Sequence, residues 1–328
     1  MALEQSIYEE AQNVLTERRT LANQRAALLH DRMRAQNPRV AEIDNALATS
    51  SAQVVRAVLD RTDVTAVVAR IRDENLALQA ELAELLHAAG ETASDFEPQY
   101  TCPHCRDTGF VNHQRCACLE ALLKEIAVAR LAQSAQAKLP TFDELTTAYY
   151  PQTAENPAGM SPRARMEQVL HFCRQYAADF SAKSDSLLLC GPTGTGKTQV
   201  SLAIARAAAE KGFGVIYGSS GRLFHQLERE HFGRTDGDTL EKLSACDLLV
   251  IDDLGTEFTS PFYTACLYDL LNTRQLSGMP TVISTNLTLT QIAERYGEAI
   301  ASRIIGAFQP LVFCGKDIRQ IKREQQLG

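Results

Sequence analysis

The sequence predicts an α/β protein: a parallel β-sheet covered by helices on both faces, preceded by an α-helical N-terminal region and a small cysteine-rich module. Three observations carry this. Five short apolar runs between residues 187 and 313 alternate with helix-forming stretches, the pattern of a parallel sheet buried on both sides. Residues 1–90 are rich in Ala, Leu, Glu, Gln and Arg and hold no glycine before Gly90, a composition that favours helix. Four of the nine cysteines (Cys102, Cys105, Cys116, Cys118) cluster just after that region.

The helical region, 1–90, reads as three helices. Ile7, Val14, Leu21 and Leu28 share one face of the first, and Asn37-Pro38 ends it. Val40, Ile43, Leu47, Val54 and Val58 mark the second. Thr62 or Asp63 can cap the third, in which Val64, Val68, Ile71, Asn75, Leu78, Leu82 and Leu85 form a heptad seam with one polar member. Gly90 is placed to stop it. The region is either an antiparallel bundle or a coiled-coil docking arm. Glu10, Glu17 and Gln24 fall on the first seam, which favours the bundle.

Residues 91–137 comprise a short linker, the cysteine cluster and a helix over about 119–137. Cys102-x2-Cys105-x10-Cys116-x-Cys118 supplies two close pairs of soft ligands, enough for a closed, structural Zn²⁺ site. Pro103 and Gly109 suit the tight turns; His104 and His113 are rival ligands. The other five cysteines stand singly in apolar surroundings and read as small core residues. Residues 138–162, with Pro140, Pro151, Pro157, Gly159 and Pro162, read as an irregular connector.

From 163 to 328 the predicted strands are 187–190, 214–218, 248–252, 281–284 and 311–313. Helices are expected to start near Arg163, Lys197, Gly221, Ser260, Thr290 and Glu298. Between the first strand and its helix lies Gly191-Pro192-Thr193-Gly194-Thr195-Gly196-Lys197-Thr198, which fits the G-x-x-x-x-G-K-[ST] phosphate loop. Its glycines let backbone N–H groups face phosphate oxygens at a helix N-terminus. Lys197 is expected to bridge the β- and γ-phosphates of ATP, and Thr198 to ligate Mg²⁺. Asp252, ending the strand Leu248-Leu249-Val250-Ile251, is expected in the Mg²⁺ shell. Asp253 takes the place where many such proteins carry a water-orienting Glu, and Glu257 is either its assistant or a surface acid. Asn286, ending the next strand, is a candidate sensor beside the γ-phosphate. Spacing alone favours a solvated or ion-paired Arg303 over an arginine finger.

The composition sets outer bounds. Hydrophobic residues make up 45% and charged residues 22%, which excludes a wholly disordered chain. A net charge of -7 argues against broad, charge-driven nucleic-acid binding. No apolar run approaches the ~20 residues of a membrane span, and the first residues lack a signal-peptide layout. The expectation is a cytoplasmic protein whose cysteines are unbridged.

The ordered motifs carry a resemblance: Cys-Pro-x-Cys-x-Asp-Thr-Gly at 102–109, the phosphate loop, Leu-Leu-Val-Ile-Asp-Asp-Leu-Gly-Thr-Glu at 248–257 and Leu-Tyr-x-Leu-Leu-Asn-x-Arg at 267–274. They continue with Ile-Ser-Thr-Asn-Leu at 283–287, Ser-Arg-Ile at 302–304 and Gly-x-Asp-Ile-Arg at 315–319. Over roughly 100–328 the chain resembles the bacterial replicative-helicase loaders, Gram-positive type, of the AAA+ class, and more broadly their transposition-helper relatives. The resemblance implies a slow ATPase switch that engages the replicative helicase hexamer, oligomerises with ATP, and helps place the helicase on single-stranded DNA. It implies a helicase-gripping N-terminal part, raises Arg303 to the arginine-finger candidate and suggests Arg319 as a second nucleotide sensor. Ala299 stands where the family often carries a further Arg, and the chain past Phe313 is too short for most of the AAA+ lid. The alternative is a transposase helper acting on duplex DNA.

Overall fold

A computed structural model describes residues 2–59, 64–153 and 159–327. The expected caps Thr62 and Asp63, the connector's Pro157, and the side chains of Val54, Val58 and Val64 lie outside the described residues. The chain divides into two units, Gln12–Glu120 and Met1–Ala11 with Ala121–Gly328.

The smaller unit holds most of α1 (Ala2–Gln36), then α2 (Pro38–Leu59) and α3 (Val64–Ala88). Pro38 opens α2, where its missing N–H leaves no bond unmade. α2 and α3 run antiparallel: Arg39 Nε donates to Glu81 Oε1 at 2.7 Å and Asn75 Nδ2 to Ser50 Oγ at 3.2 Å. The polar seam member is thereby satisfied. Gly90, at φ +80°, ends α3. The α1 seam differs from expectation. Leu21 and Leu28 are 45% and 69% exposed, while Leu15, Ala22, Ala26 and Met33 are buried. The buried set keeps seven-four-seven spacing, with two alanines between Leu15 and Met33. β1 (Phe110–Val111) and β2 (Gln114–Arg115) pair antiparallel. Their turn, Asn112-His113, has both residues at positive φ, the geometry that two-residue hairpins favour. α4 (Ala117–Ala135) follows, two residues earlier than expected, and from Ala121 on it belongs to the larger unit.

The larger unit contains α5 (Pro162–Ala178), β3 (Ser186–Cys190), α6 (Lys197–Glu210), β4 (Val215–Ser219), α7 (Ser220–His231) and α8 (Thr239–Ala245). It continues with β5 (Leu248–Leu254), α9 (Pro261–Leu276), β6 (Thr281–Thr285), α10 (Leu289–Tyr296), α11 (Glu298–Ala307), β7 (Phe308–Val312) and α12 (Ile318–Leu327). The five strands β3–β7 form one parallel sheet in the order β4-β5-β6-β3-β7. Strand periodicity sorts the core. Leu187, Leu189, Val250 and Val282 pack with α5 and α6 on one face. Leu188, Leu249, Ile251 and Ile283 pack with α7, α9, α10 and α11 on the other. The α/β class read from the sequence is therefore the observed one.

Two further details depart from expectation. α8 and α12 were not expected, because each is short and polar. β7 begins at Phe308, directly from α11, and accommodates Pro310 because it is an edge strand with one unpaired side. All nine cysteines are unbridged, and no helix among the described residues is long and apolar enough to cross a membrane.

Candidate functional site

Interior strand β3, between β6 and β7, delivers the chain to the phosphate loop at the C-terminal edge of the sheet, where parallel sheets open their crevices. Gly196 caps α6 at φ +86°. Two glycines are required by close approach. A Cβ on Gly191 would lie 2.2 Å from Phe313 O, and one on Gly194 would lie 2.1 Å from the Asp317 carboxylate. Lys197 is 4% exposed. Its ammonium donates to Gly191 O, Pro192 O and Asn286 Oδ1, each at 2.7 Å. Burial lowers its pKa, and Asp253 and Asp252 oppose that shift. All three acceptors are uncharged, so the ammonium keeps a net charge to offer a phosphate.

The acidic side is built by a bulge. The β5–β6 register slips between Ile251 and Leu254. Asp252 is buried, and its carboxylate accepts Tyr217 Oη at 2.7 Å and Ser284 Oγ at 2.5 Å. Asp253 instead lines the cleft, with φ +54° and its N–H donating to Ser284 Oγ at 2.9 Å. Asp tolerates this left-handed backbone better than a longer acid does, which is a physical reason for the shorter side chain here. Burial and Asp252 raise the Asp253 pKa. The Mg²⁺-shell expectation for Asp252 meets a carboxylate engaged on both oxygens and set behind Asp253.

A cleft of about 800 Å³ opens over these groups. Thr193, Gly194, Gly196, Lys197, Thr198, Asp253, Asn286 and Arg319 line it; Gly191, Pro192 and Thr195 of the expected set do not. Thr195 shapes the loop from within, donating Oγ1 to Pro192 O at 2.7 Å. Arg319 reaches the cleft because α12 docks on the loop. Ile318 N–H donates to Gly194 O at 3.0 Å, and Asp317 Oδ1 accepts Arg319 N–H at 2.8 Å. The opposite wall was missed by sequence reasoning: Lys138, Pro140, Leu145, Tyr149 and Tyr150 come from the connector, with Leu170, Ile318 and Lys322. Tyr150 Oη donates to Thr195 O at 2.9 Å, and burial pushes its pKa up to about 12. Lys322 stands over the Tyr149 ring at 5.0 Å. The available signal was a tyrosine pair inside a proline-rich stretch.

Two candidates lie elsewhere. Glu257 does not line the cleft, and it is not a surface acid. It is 7% exposed, accepting Ser220 Oγ at 2.6 Å, Gly255 N–H at 3.0 Å and Tyr296 Oη. Burial pushes its pKa up, but these bonds outweigh burial and hold it below the usual range. Arg303 is held on the surface of α11 by Tyr268 Oη at 2.6 Å and Asn272 Oδ1 at 3.0 Å, its guanidinium 4.0 Å from the Tyr268 ring. It does not line the cleft of its own chain.

The cysteine module is a second candidate site. The Cys102, Cys105, Cys116 and Cys118 sulfurs lie within 4.8 Å of one another. A tetrahedral zinc with ~2.3 Å bonds places its sulfurs about 3.8 Å apart, and Cys102–Cys116 and Cys105–Cys118 are 3.8 and 3.3 Å. Buried Asp107 accepts Thr101 N–H at 2.8 Å and Cys102 N–H at 2.9 Å, bracing the first turn. Burial pushes the Cys105 thiol up, but bonds to Cys118 and the Gly109 N–H outweigh it and bring the group down to about 7. The donor set fits zinc, and the rival ligands His104 and His113 are not part of it.

Comparisons agree with the cleft. The sequence profile of the family described as IstB-like ATP binding protein matches residues 132–307. An ATP-binding protein of a Mycobacterium tuberculosis (H37Rv) insertion sequence is 25% identical over 144 residues, covering 42% of this chain and 57% of the relative. The replicative helicase loader DnaC of Escherichia coli K12 is 26% identical over 133 residues, 40% of this chain and 54% of the relative. The chain thus spans about half the length of these curated relatives. A crystal structure of the DnaC helicase loader superposes with a TM-score of 0.44 at 22% identity, covering 53% of this chain and 98% of that one.

Proposed function

We propose a function from the premise that this chain belongs to the IstB-like ATP-binding protein family: it is an ATP-dependent loader that binds the replicative DNA helicase and helps deposit it on single-stranded DNA. The observation that carries the reading is the smaller unit, where a helical region and a four-sulfur module offer a separate means of gripping a protein partner. The nucleotide cycle then controls the grip.

In this reading Lys197 leaves Gly191 O and Pro192 O for the β- and γ-phosphates when ATP enters. Thr198 would hold Mg²⁺, with Asp252 in its outer shell through a bound water, and the ion would neutralise charge on the transferring phosphate. Asp253 and Asn286 orient the attacking water. Tyr149, Tyr150 and Ile318 flank the nucleobase, and Arg319 senses the phosphates from α12. Arg303, remote from its own cleft, serves a neighbouring subunit as arginine finger, so turnover is slow until subunits assemble. Cys102, Cys105, Cys116 and Cys118 would hold Zn²⁺, which fixes the module's turns.

Co-elution of the full chain with the cognate helicase hexamer, in ATP and Mg²⁺ at micromolar concentration, is the expected result. Separate elution overturns the loader reading. Lys197→Ala is expected to cut hydrolysis by about 10²-fold or more, since it removes the charge that meets the phosphates. Undiminished hydrolysis overturns the site assignment. The insertion-sequence relative favours a second reading, a transposase helper acting on duplex DNA. Retention of the chain by a transposase and duplex DNA, but not by helicase, selects it.

A further inference from the structure

Glu257 sits where two functional segments meet. The loop after Asp253 approaches it from one side. Gly255 N–H donates to Glu257 Oε2 at 3.0 Å, and Ser220 Oγ lies 2.6 Å from Oε2 and 3.0 Å from Asp253 O. The end of α10 approaches from the other. Tyr296 Oη donates to Glu257 Oε1, and Arg295 Nη2 donates to the Glu257 carbonyl. The next residue, Gly297, turns at φ +89° into α11, which carries Arg303. One buried carboxylate therefore ties the backbone of Asp253 to the entrance of α11.

The tie is not saturated. Arg295 Nε is buried and has no hydrogen-bond partner among the described residues, lying 3.6 Å from Glu257 Oε1. That is beyond normal bond length, and buried donors are ordinarily satisfied. The guanidinium therefore meets the Glu257 carboxylate as an ion pair rather than through a completed Nε hydrogen bond.

We propose that Glu257 is a positioning residue that couples the placement of Asp253 in one subunit's cleft to the presentation of Arg303 on the same subunit's α11. The idea rests on the hydrolysis and finger roles proposed above. It assigns Tyr296 and Arg295 to the coupling, although neither lines the cleft.

The test is steady-state ATP hydrolysis by the assembled full chain in Tyr296→Phe, Glu257→Gln and Arg303→Ala, alone and combined, with melting temperatures recorded. Tyr296→Phe removes one hydroxyl and is the variant expected to fold if Glu257→Gln does not. The expected result is a kcat lowered about tenfold with KM within about twofold, since positioning acts on the transition state. On the Arg303→Ala background, Tyr296→Phe is expected to lower kcat no further. Full additivity with Arg303→Ala, or an unchanged kcat in Tyr296→Phe, overturns the coupling. Hydrolysis that survives Lys197→Ala overturns the ATPase reading instead. A wild-type rate in Arg303→Ala overturns the finger and the coupling with it.

Discussion

The nucleotide cleft and the cysteine module solve one problem, holding charge in a fixed place, by opposite means. The cleft gathers residues from Lys138 to Lys322 and rests on a finished sheet. Its lysine donates to three protein oxygens. The module gathers four sulfurs from Cys102 to Cys118 over two-residue strands. Their mutual approach offers little attraction of its own. A site built on a finished sheet keeps its shape through protein bonds, whereas one whose donors attract one another only weakly depends on the ion they would share.

Metal removal should break the comparison most visibly. Structural zinc sites contribute roughly 10–16 kcal/mol of apparent binding energy in small modules. A strong chelator is expected to release one metal per chain and to leave the amides of residues 101–119 exchanging as in an unstructured chain. The sheet's amides should keep their protection. Unchanged exchange at 101–119 after complete metal release would show the module to be self-sufficient.

Asp253→Asn sharpens the other side. It keeps a side chain suited to left-handed backbone but removes the carboxylate, and turnover is expected to fall by about 10²-fold. The sign of its stability effect is opposite. Burial and Asp252 raise the folded pKa of Asp253. The unfolded chain therefore gives up this proton at lower pH than the folded one, and ionised Asp253 weighs against the fold at neutral pH. Asp253→Asn should raise the melting temperature at pH 7, and the gain should vanish below the ordinary aspartate range. Wild-type turnover should fall with pH through the raised pKa, above where an ordinary aspartate protonates. A melting temperature that drops in Asp253→Asn would contradict this account.

Tyr150→Phe probes the connector wall and should have the smallest effect. It removes the bond to Thr195 O and leaves the ring. One such bond contributes ~1 kcal/mol, so nucleotide affinity should weaken by no more than about fivefold, read by titration with a fluorescent ATP analogue. A loss beyond a hundredfold would make the hydroxyl a direct contact to the nucleotide.

The legibility of the two regions differs for a related reason. Cys102, Cys105, Cys116 and Cys118 are close in sequence, so ligand spacing alone brought them together. The phosphate loop was equally plain, because strand, glycines, lysine and helix are contiguous. Asn286 was reachable through strand order. Tyr149 and Tyr150 were not, since nothing local distinguishes a connector that covers a cleft from one that does not. The burial of Glu257 was hidden for a like reason. A glutamate in a loop reads as exposed until Ser220 and Tyr296, from elements far along the chain, are seen to surround it.

By itself the sequence determined the α/β class, the strands of the sheet, the phosphate loop and the four-sulfur set. These follow from periodicity and short-range stereochemistry, which act between residues a few positions apart. Only the tertiary structure decided which face of α1 is buried, that Asp253 rather than Asp252 meets the cleft, that α12 and the connector wall it, and that Arg303 points away. Those outcomes depend on packing between distant segments, where shape and the satisfaction of buried polar groups choose among arrangements that local pattern leaves equal.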